Sequence, residues 1–474
     1  MSKKKILLLS DDLRMSSGVG TVSKEFVLGT INHYDWVQLG GAIKHPDKGK
    51  IIDLSEDTQK MSGVKDAYLK IYCTDGYGNQ EILRNVINIE KPDAIMHYTD
   101  PRFWMWLYQM EHELRQHIPI FYYNIWDDLP YPHWNENFYE SCDLIMNISR
   151  QTKNIVNNVW VKNPPEDWQV TYIPHGINEK DFHSISELNI EEWNALEKFK
   201  KEIFGGEYKP NFVLYYNNRN IRRKLPGDVI LSFKTFCDML PKEEANKCVL
   251  IMHTHPQDNN GTDLPQVAEK IAGDYKVVFS AGKLDTPHMN FLVNVADVTI
   301  NLASNEGYGL GTAESLMAET PIIVNVTGGL QDQCGFKKEN GEYLTVDDYT
   351  DEFPTNHSGK YKHHGEWVKP VWPACRSLQG SVPTPYIFDD RPKWEDAALK
   401  IKEWYDVGDE ERKRCGELGR EFLLDENVGM SAIHMCNRFV KDMDTAFEKW
   451  KPRKRFTLYK CEESNVERNV GIIN

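Results

Sequence analysis

Short apolar runs, each closed by polar or turn residues and followed by a helical stretch, recur in two series along this chain. The first series holds KILLLS, AIMHYT, IFYYNIW, DLIMNIS and VTYIPHG, with GVGTVSKEFVLGTI reading as a helix opened by glycines. Runs this short and this continuously apolar suit strands covered on both faces, so helices must lie on either side of a parallel sheet. The pattern breaks around residues 185–210, where SELNIEEWNALEKFKKEIFGGEYKPN is polar and closes on Gly205, Gly206 and Pro210. It then restarts as FVLYYNN, KCVLIMHTH, KVVFS, VTINLAS and PIIVNV, separated by DVILSFKTFCDML, LPQVAEKIAG and HMNFLVNVAD. This predicts an α/β fold of two doubly wound, Rossmann-like domains in tandem.

A chain of 474 residues exceeds one typical core, which agrees with two domains. We place the first at 1–190 and the second at 205–430, with an insertion at about 334–385 and a C-terminal helix and tail at 431–474. The insertion is rich in Gly, Pro, His and Tyr and shows no period, as a long functional or mobile loop would. The net charge of −15 excludes a protein that coats nucleic acid or an anionic membrane with its whole surface, though not a local basic cleft. Nine cysteines, an odd number without any C-x-x-C, point away from a zinc or disulfide framework and towards a reducing, cytoplasmic setting. The first apolar run, Ile6 to Leu9, ends at Asp11 and Asp12 and is too short for a signal sequence or a membrane span.

Ligands of open α/β sheets sit at the carboxyl ends of the strands, and the polar residues there are the candidates for chemistry. Gly18 and Gly20 lie between the first strand and its helix, where backbone N–H groups can meet an anion; a plain turn explains them equally well. Arg219 and Lys224, with Arg222 and Arg223 between them, follow the first strand of the second domain and suit a diphosphate. Glu306 and Glu314 stand with seven residues between them in NEGYGLGTAES, around the start of a helix. Dipole compensation explains one glutamate there, not the second at the strand end. In the first domain Trp126, Asp127, Asp128 and His133 follow one strand, and His97, Asp100 and Arg102 follow another. Satisfied polar loops and core aromatics are the plain alternatives. His175 ends the last strand before the break, and His253 and His255 form an H-x-H that lacks a third metal ligand at a suggestive spacing.

Together these motifs resemble the GT-B glycosyltransferases, in particular the retaining Glu-x7-Glu group. NEGYGLGTAESLMAETPIIV resembles that group's EGFGL…EAMA.G.PVI pattern, and NRNIRRK its Arg-x4-Lys pair. VTYIPHGINEKDF and KVVFSAGKLDTPHMNFLVNVADVTINLAS resemble two further blocks, in the same order. The usual Gly before Pro321 is replaced by Thr320, and the loop at Asp127 lacks a His. The resemblance implies a nucleotide-sugar co-substrate, a UDP-sugar, with no metal and no other cofactor. It implies that Arg219 and Lys224 hold the donor diphosphate, Glu306 the sugar hydroxyls and Glu314 the ribose. Tyr308, Gly309, Leu310 and Gly311 would face the sugar and phosphates; residues 280–284, among them Ala281 and Lys283, would hold the base. Gly18 and Gly20 would close over the phosphates, Asp127 would lie near the anomeric carbon, and the last helix would pack back on the first domain. First-domain loops, with His97, Asp100, Arg102, Trp126, Asp128, His133 and His175, would choose the acceptor. Phage DNA glycosyltransferases share the fold, which brings in 5-hydroxymethylated cytosine in DNA as one acceptor. Polysaccharide, small-molecule and protein acceptors stay open, as does a non-catalytic nucleotide-sugar-binding protein.

Overall fold

The structure is a computed structural model that describes residues 3–206, 209–351, 361 and 363–454. The first sheet has eight strands in the order β3-β4-β2-β1-β5-β6-β7-β8. Its strands are β1 (Lys4–Asp11), β2 (Tyr34–Ala42), β3 (Ile51–Asp53), β4 (Leu69–Asp75), β5 (Ala94–Tyr98), β6 (Ile120–Asn124), β7 (Leu144–Asn147) and β8 (Val170–Tyr172). All pairs are parallel except β3 with β4. Ile6 and Leu8 point to one core and Leu7 and Leu9 to the other, all fully buried, because helices cover both faces.

The second sheet has six parallel strands in the order β11-β10-β9-β12-β13-β14. They are β9 (Phe212–Asn217), β10 (Cys248–His253), β11 (Lys276–Ser280), β12 (Val298–Asn301), β13 (Ile322–Asn325) and β14 (Val368–Val371). The polar boundary helix Ile190–Phe204 belongs to this domain, since Leu196 and Phe204 pack with Val213 and Tyr215 of β9.

The stretch read as a loop at 334–385 contributes regular structure. Its Val368–Val371 is the edge strand β14, and it runs into an antiparallel hairpin of β15 (Pro373–Ser381) and β16 (Thr384–Pro392). β14 is too short, and too interrupted by Pro370, to give a readable period. The two late helical stretches form the segment Trp394–Leu424, kinked at Gly408 with φ 79°. The helix Ala432–Lys449 then crosses to the first domain: Phe439 packs on Phe26 at 4.8 Å, and Tyr34 donates to Asp444 at 2.7 Å. Among the described residues no helix is long and apolar enough to cross a membrane.

Candidate functional site

The carboxyl ends of β1, β5 and β6 face those of β9 and β12 across a cleft of about 1450 Å³. The second-domain wall is built from three short stretches. After β9 come Asn217, Asn218, Arg219 and Arg223; after β11 come Lys283, Leu284 and Asp285; after β12 come residues 306–311 and Glu314. Gly309 caps the helix Leu310–Met317 at φ 89°, and a Cβ there would lie 2.5 Å from Leu330, so only glycine makes this turn. The helix therefore begins at the cleft, with the backbone of Leu310 and Gly311 lining it. Its unpaired first-turn N–H groups give the wall a positive end.

Lys224 does not line the cleft but stands directly behind it, ion-paired with Glu306; the two side chains are 7% and 12% exposed. Burial alone would raise the Glu306 pKa, but Lys224 and then Arg223 outweigh it and hold the carboxyl below its usual range. Asn301 adds a hydrogen bond at 3.4 Å. Arg223 donates to the Asn305 carbonyl at 2.6 Å. Arg219 is 65% exposed at the rim and touches Asp258 at 3.5 Å. Glu314 is in the opposite electrostatic state: burial pushes it up to about 7, and among the described residues no cation offsets that. Two glutamates on one wall thus differ in protonation, one ionised by a partner and one left half-protonated near neutrality.

The first-domain wall carries Gly18, Tyr98, Thr99, Asp100, Phe103, Asp127 and His175. Gly18 comes within van der Waals reach of Leu310, since a Cβ on it would lie 3.4 Å from that side chain. Burial pushes Asp127 up to about 6, with Arg223 pulling it down and Glu306 pushing it up. Asp127 and Glu306 approach each other around Gly328, which has φ 48°; a Cβ there would meet the Glu306 carbonyl at 2.1 Å and the Asp127 carboxylate at 3.1 Å. His175 accepts or donates at 2.7 Å to Tyr123 and 3.3 Å to Tyr98, and burial lowers its pKa to about 3, so the ring is neutral. Phe103 is 50% exposed and stacks on Tyr77 at 5.1 Å.

Several sequence-derived candidates lie elsewhere. Gly20 is buried under the turn at Met15, and Ala281 is exposed outside the cleft. His97 is a core residue stacked on Tyr122 at 4.3 Å, and burial holds it well below its usual pKa. Trp126 is buried, with its indole N–H donating to the Asp128 carbonyl at 3.1 Å. Asp128 is pushed well above the usual carboxyl range by burial and then by Asp127. Arg102 is held by Asp100, and His133 is exposed; neither lines the cleft. His253 does line it, bonded to Ser280 at 3.0 Å, while His255 bonds the Gln257 carbonyl. Arg14, Asn217, Thr99 and Phe103 were not singled out as site residues. Only the backbone of Thr99, at φ 109° in the left-handed region, marks a special position, and sequence does not disclose that.

No family model matches the chain. Over 161 residues it is 30% identical to the alpha-monoglucosyldiacylglycerol synthase of Acholeplasma laidlawii, a match that takes in 33% of this chain and 36% of that protein's length. Solved structures resemble it over nearly the whole length. One is Anabaena HepE in complex with UDP and glucose, with a TM-score of 0.60 and 10% identity over 93% of this chain and 100% of that one. Another is sucrose-phosphate synthase from Thermosynechococcus elongatus, with a TM-score of 0.62 and 14% identity over 94% and 100%. A third is the E. coli trehalose-6-phosphate structure bound with UDP-2-fluoro glucose, with a TM-score of 0.59 and 12% identity over 95% and 100%. The chain therefore has the GT-B fold, two Rossmann-like domains facing across a cleft.

Proposed function

We propose that this protein is a glycosyltransferase that moves a sugar from a UDP-sugar to a hydroxyl acceptor, with retention at the anomeric carbon and without a metal ion. The observation that carries the reading is the Lys224–Glu306 ion pair beside the open N-terminus of the helix Leu310–Met317, facing Asp127 across the cleft. Arg219 and Arg223, which line the cleft beside these N–H groups, suit a departing diphosphate and would do what a divalent cation does in other transferases, while Lys224 holds Glu306 ionised from behind. Arg219, exposed at the rim and held by a 3.5 Å contact to Asp258, would swing onto the phosphates. Glu306, already ionised, would accept from the sugar hydroxyls, and Glu314 from the ribose. The bond from C1 to the phosphate oxygen breaks, the bond from C1 to the acceptor oxygen forms on the same face, and the acceptor proton passes to the leaving phosphate. Asp127 would stabilise positive charge on the sugar. UDP and glucose in the HepE complex, and UDP-2-fluoro glucose in the E. coli structure, support the choice of donor.

The acceptor wall favours a small ring over a flipped base. Trp104 and Trp126, which a DNA reading needs as stacking surfaces, are buried in the core, and Arg102 is committed to Asp100. The tail at 455–474 lies outside the described residues. Phe103 instead offers an open ring face in the cleft, which suits the apolar face of a sugar. A second reading, a glycolipid acceptor, draws on the apolar outer end of the cleft, where Leu28, Leu54 and the 67%-exposed Met61 lie, and on the named activity of the Acholeplasma relative.

The test is UDP release and product mass from UDP-glucose with three acceptors: methyl β-glucopyranoside, monoglucosyldiacylglycerol in vesicles, and hydroxymethylated DNA. Transfer that vanishes in Glu306→Ala and Lys224→Ala is expected. Wild-type activity in both variants would sink the account. UDP-glucose binding without turnover on any acceptor would favour a non-catalytic binding protein.

A further inference from the structure

The hairpin β15–β16 has no place in the donor site, yet it is tied to both domains within a few residues of Asp127 and Glu306. Its base is anchored in the second domain. The Asp390 N–H donates to the Ser304 carbonyl at 3.1 Å, Asn325 donates to the Asp390 carbonyl at 2.8 Å, and Thr327 to its carboxylate at 2.9 Å. Its body is seated on the first. Ile387 and Phe388 pack against the core that holds Trp126 and Leu129, and Tyr386 meets Trp134 edge-on at 4.3 Å.

One residue joins the two walls. The Phe388 N–H donates to the Leu129 carbonyl at 2.6 Å, and its carbonyl accepts from the Asn305 side chain, also at 2.6 Å. Leu129 is two residues from Asp127, and Asn305 is the neighbour of Glu306. The peptide groups of Phe388 therefore bridge the Asp127 loop and the Glu306 loop, which belong to different domains.

We propose that this hairpin is an interdomain clasp, with Phe388 and Tyr386 as positioning residues that fix Asp127 against Glu306. It rests on the roles given above to those two carboxylates. The domains are tied elsewhere too, by Arg150 to Asp332 and by Gln331 to Gln151, but of these ties only the hairpin bonds the neighbours of both Asp127 and Glu306. A displacement of about 1 Å between reacting groups costs on the order of 100-fold in rate. None of the hairpin's residues lines the cleft, so the clasp acts on turnover and not on donor binding.

The test uses the double variant Phe388→Ala/Tyr386→Ala in the full chain, with Phe388→Leu/Tyr386→Phe as the conservative partner that keeps both apolar seats. Spin labels inserted at the exposed Lys60 and Lys270 report the interdomain distance by pulsed electron resonance. The expected result is one narrow distance in the wild type, a broadened one in the alanine variant, and restoration in the conservative variant. kcat should fall about 100-fold with the Kd for UDP-glucose within about twofold. A narrow distance in the alanine variant, once a melting curve shows it folded, would overturn the clasp. So would a broadened distance with unchanged kcat. If the wild type binds UDP-glucose but transfers to nothing, the functional reading fails, while the distance measurement still judges the clasp.

Discussion

The two walls of the cleft are built in opposite ways. The second-domain wall is assembled from contiguous stretches, with Asn217 to Arg223 at the end of one strand and Glu306 to Glu314 after another, and the charge of Glu306 is set by direct pairing with Lys224 behind it. The first-domain wall takes single side chains from the ends of several strands, and its polar groups are controlled by burial: His175 is neutral and Asp127 is pushed up to about 6. A wall of ion pairs binds a ligand of fixed charge and shape. On the function proposed above, a wall of isolated groups in the GT-B frame is free to change its acceptor.

This contrast is broken most directly at Glu306. Glu306→Ala should lower kcat by about 1000-fold and leave Lys224 buried without its partner, costing roughly 3 kcal/mol in folding stability as well. Turnover of UDP-glucose and a urea titration check both. If the wall merely bound, the loss would appear in KM instead. Asp127→Asn should lower kcat by about 100-fold while UDP-glucose still binds, measured by calorimetry.

Glu314 sharpens the comparison through pH. Its folded pKa of about 7 lies above the unfolded 4.5. Below 4.5 both states hold the proton; between the two values the unfolded chain loses it first, so stability falls as pH rises, and the full penalty stands above 7. Glu314→Gln should therefore stabilise by about 3 kcal/mol at pH 8 and under about 1 kcal/mol at pH 5, read from melting curves. If ribose hydroxyls donate to this carboxylate, binding favours the ionised form. UDP-glucose affinity should then rise about tenfold from pH 6 to pH 8, and the slope should vanish in the variant. The smallest effect belongs to the first-domain wall: Phe103→Ala should raise KM for methyl β-glucopyranoside about fivefold, with donor KM unchanged.

What sequence disclosed follows the same division. Strands buried on both faces, such as β1, β9 and β12, leave apolar runs, and the loops after the latter two carry their candidate site residues within a few positions. β2 was missed because Asp35, Gln38, Gly40 and Gly41 interrupt it; Gln38 bonds Ser10 and the Asp11 carbonyl, a long-range satisfaction that periodicity does not express. Phe103 entered the cleft because the short turn Pro101–Trp104, capped by Asp100, points one aromatic outward and the next inward. Trp104 and Phe103 are neighbours with opposite fates, and only the fold separates them. The hairpin was hidden for another reason. It is tied to distant loops largely through its own backbone, at the peptide groups of Phe388 and Asp390, and these leave no mark on residue type.

The return of the helix Ala432–Lys449 to the first domain has a consequence for how the chain is born. Met435, Phe439 and Met443 complete the same core as Ile6, Leu8 and Phe26. That core is therefore unfinished until residues 432–449 have been synthesised, although its sheet is made first. Where most multidomain chains mature from the N-terminus onward, here the first domain waits for the helix Ala432–Lys449, which follows the second domain in sequence.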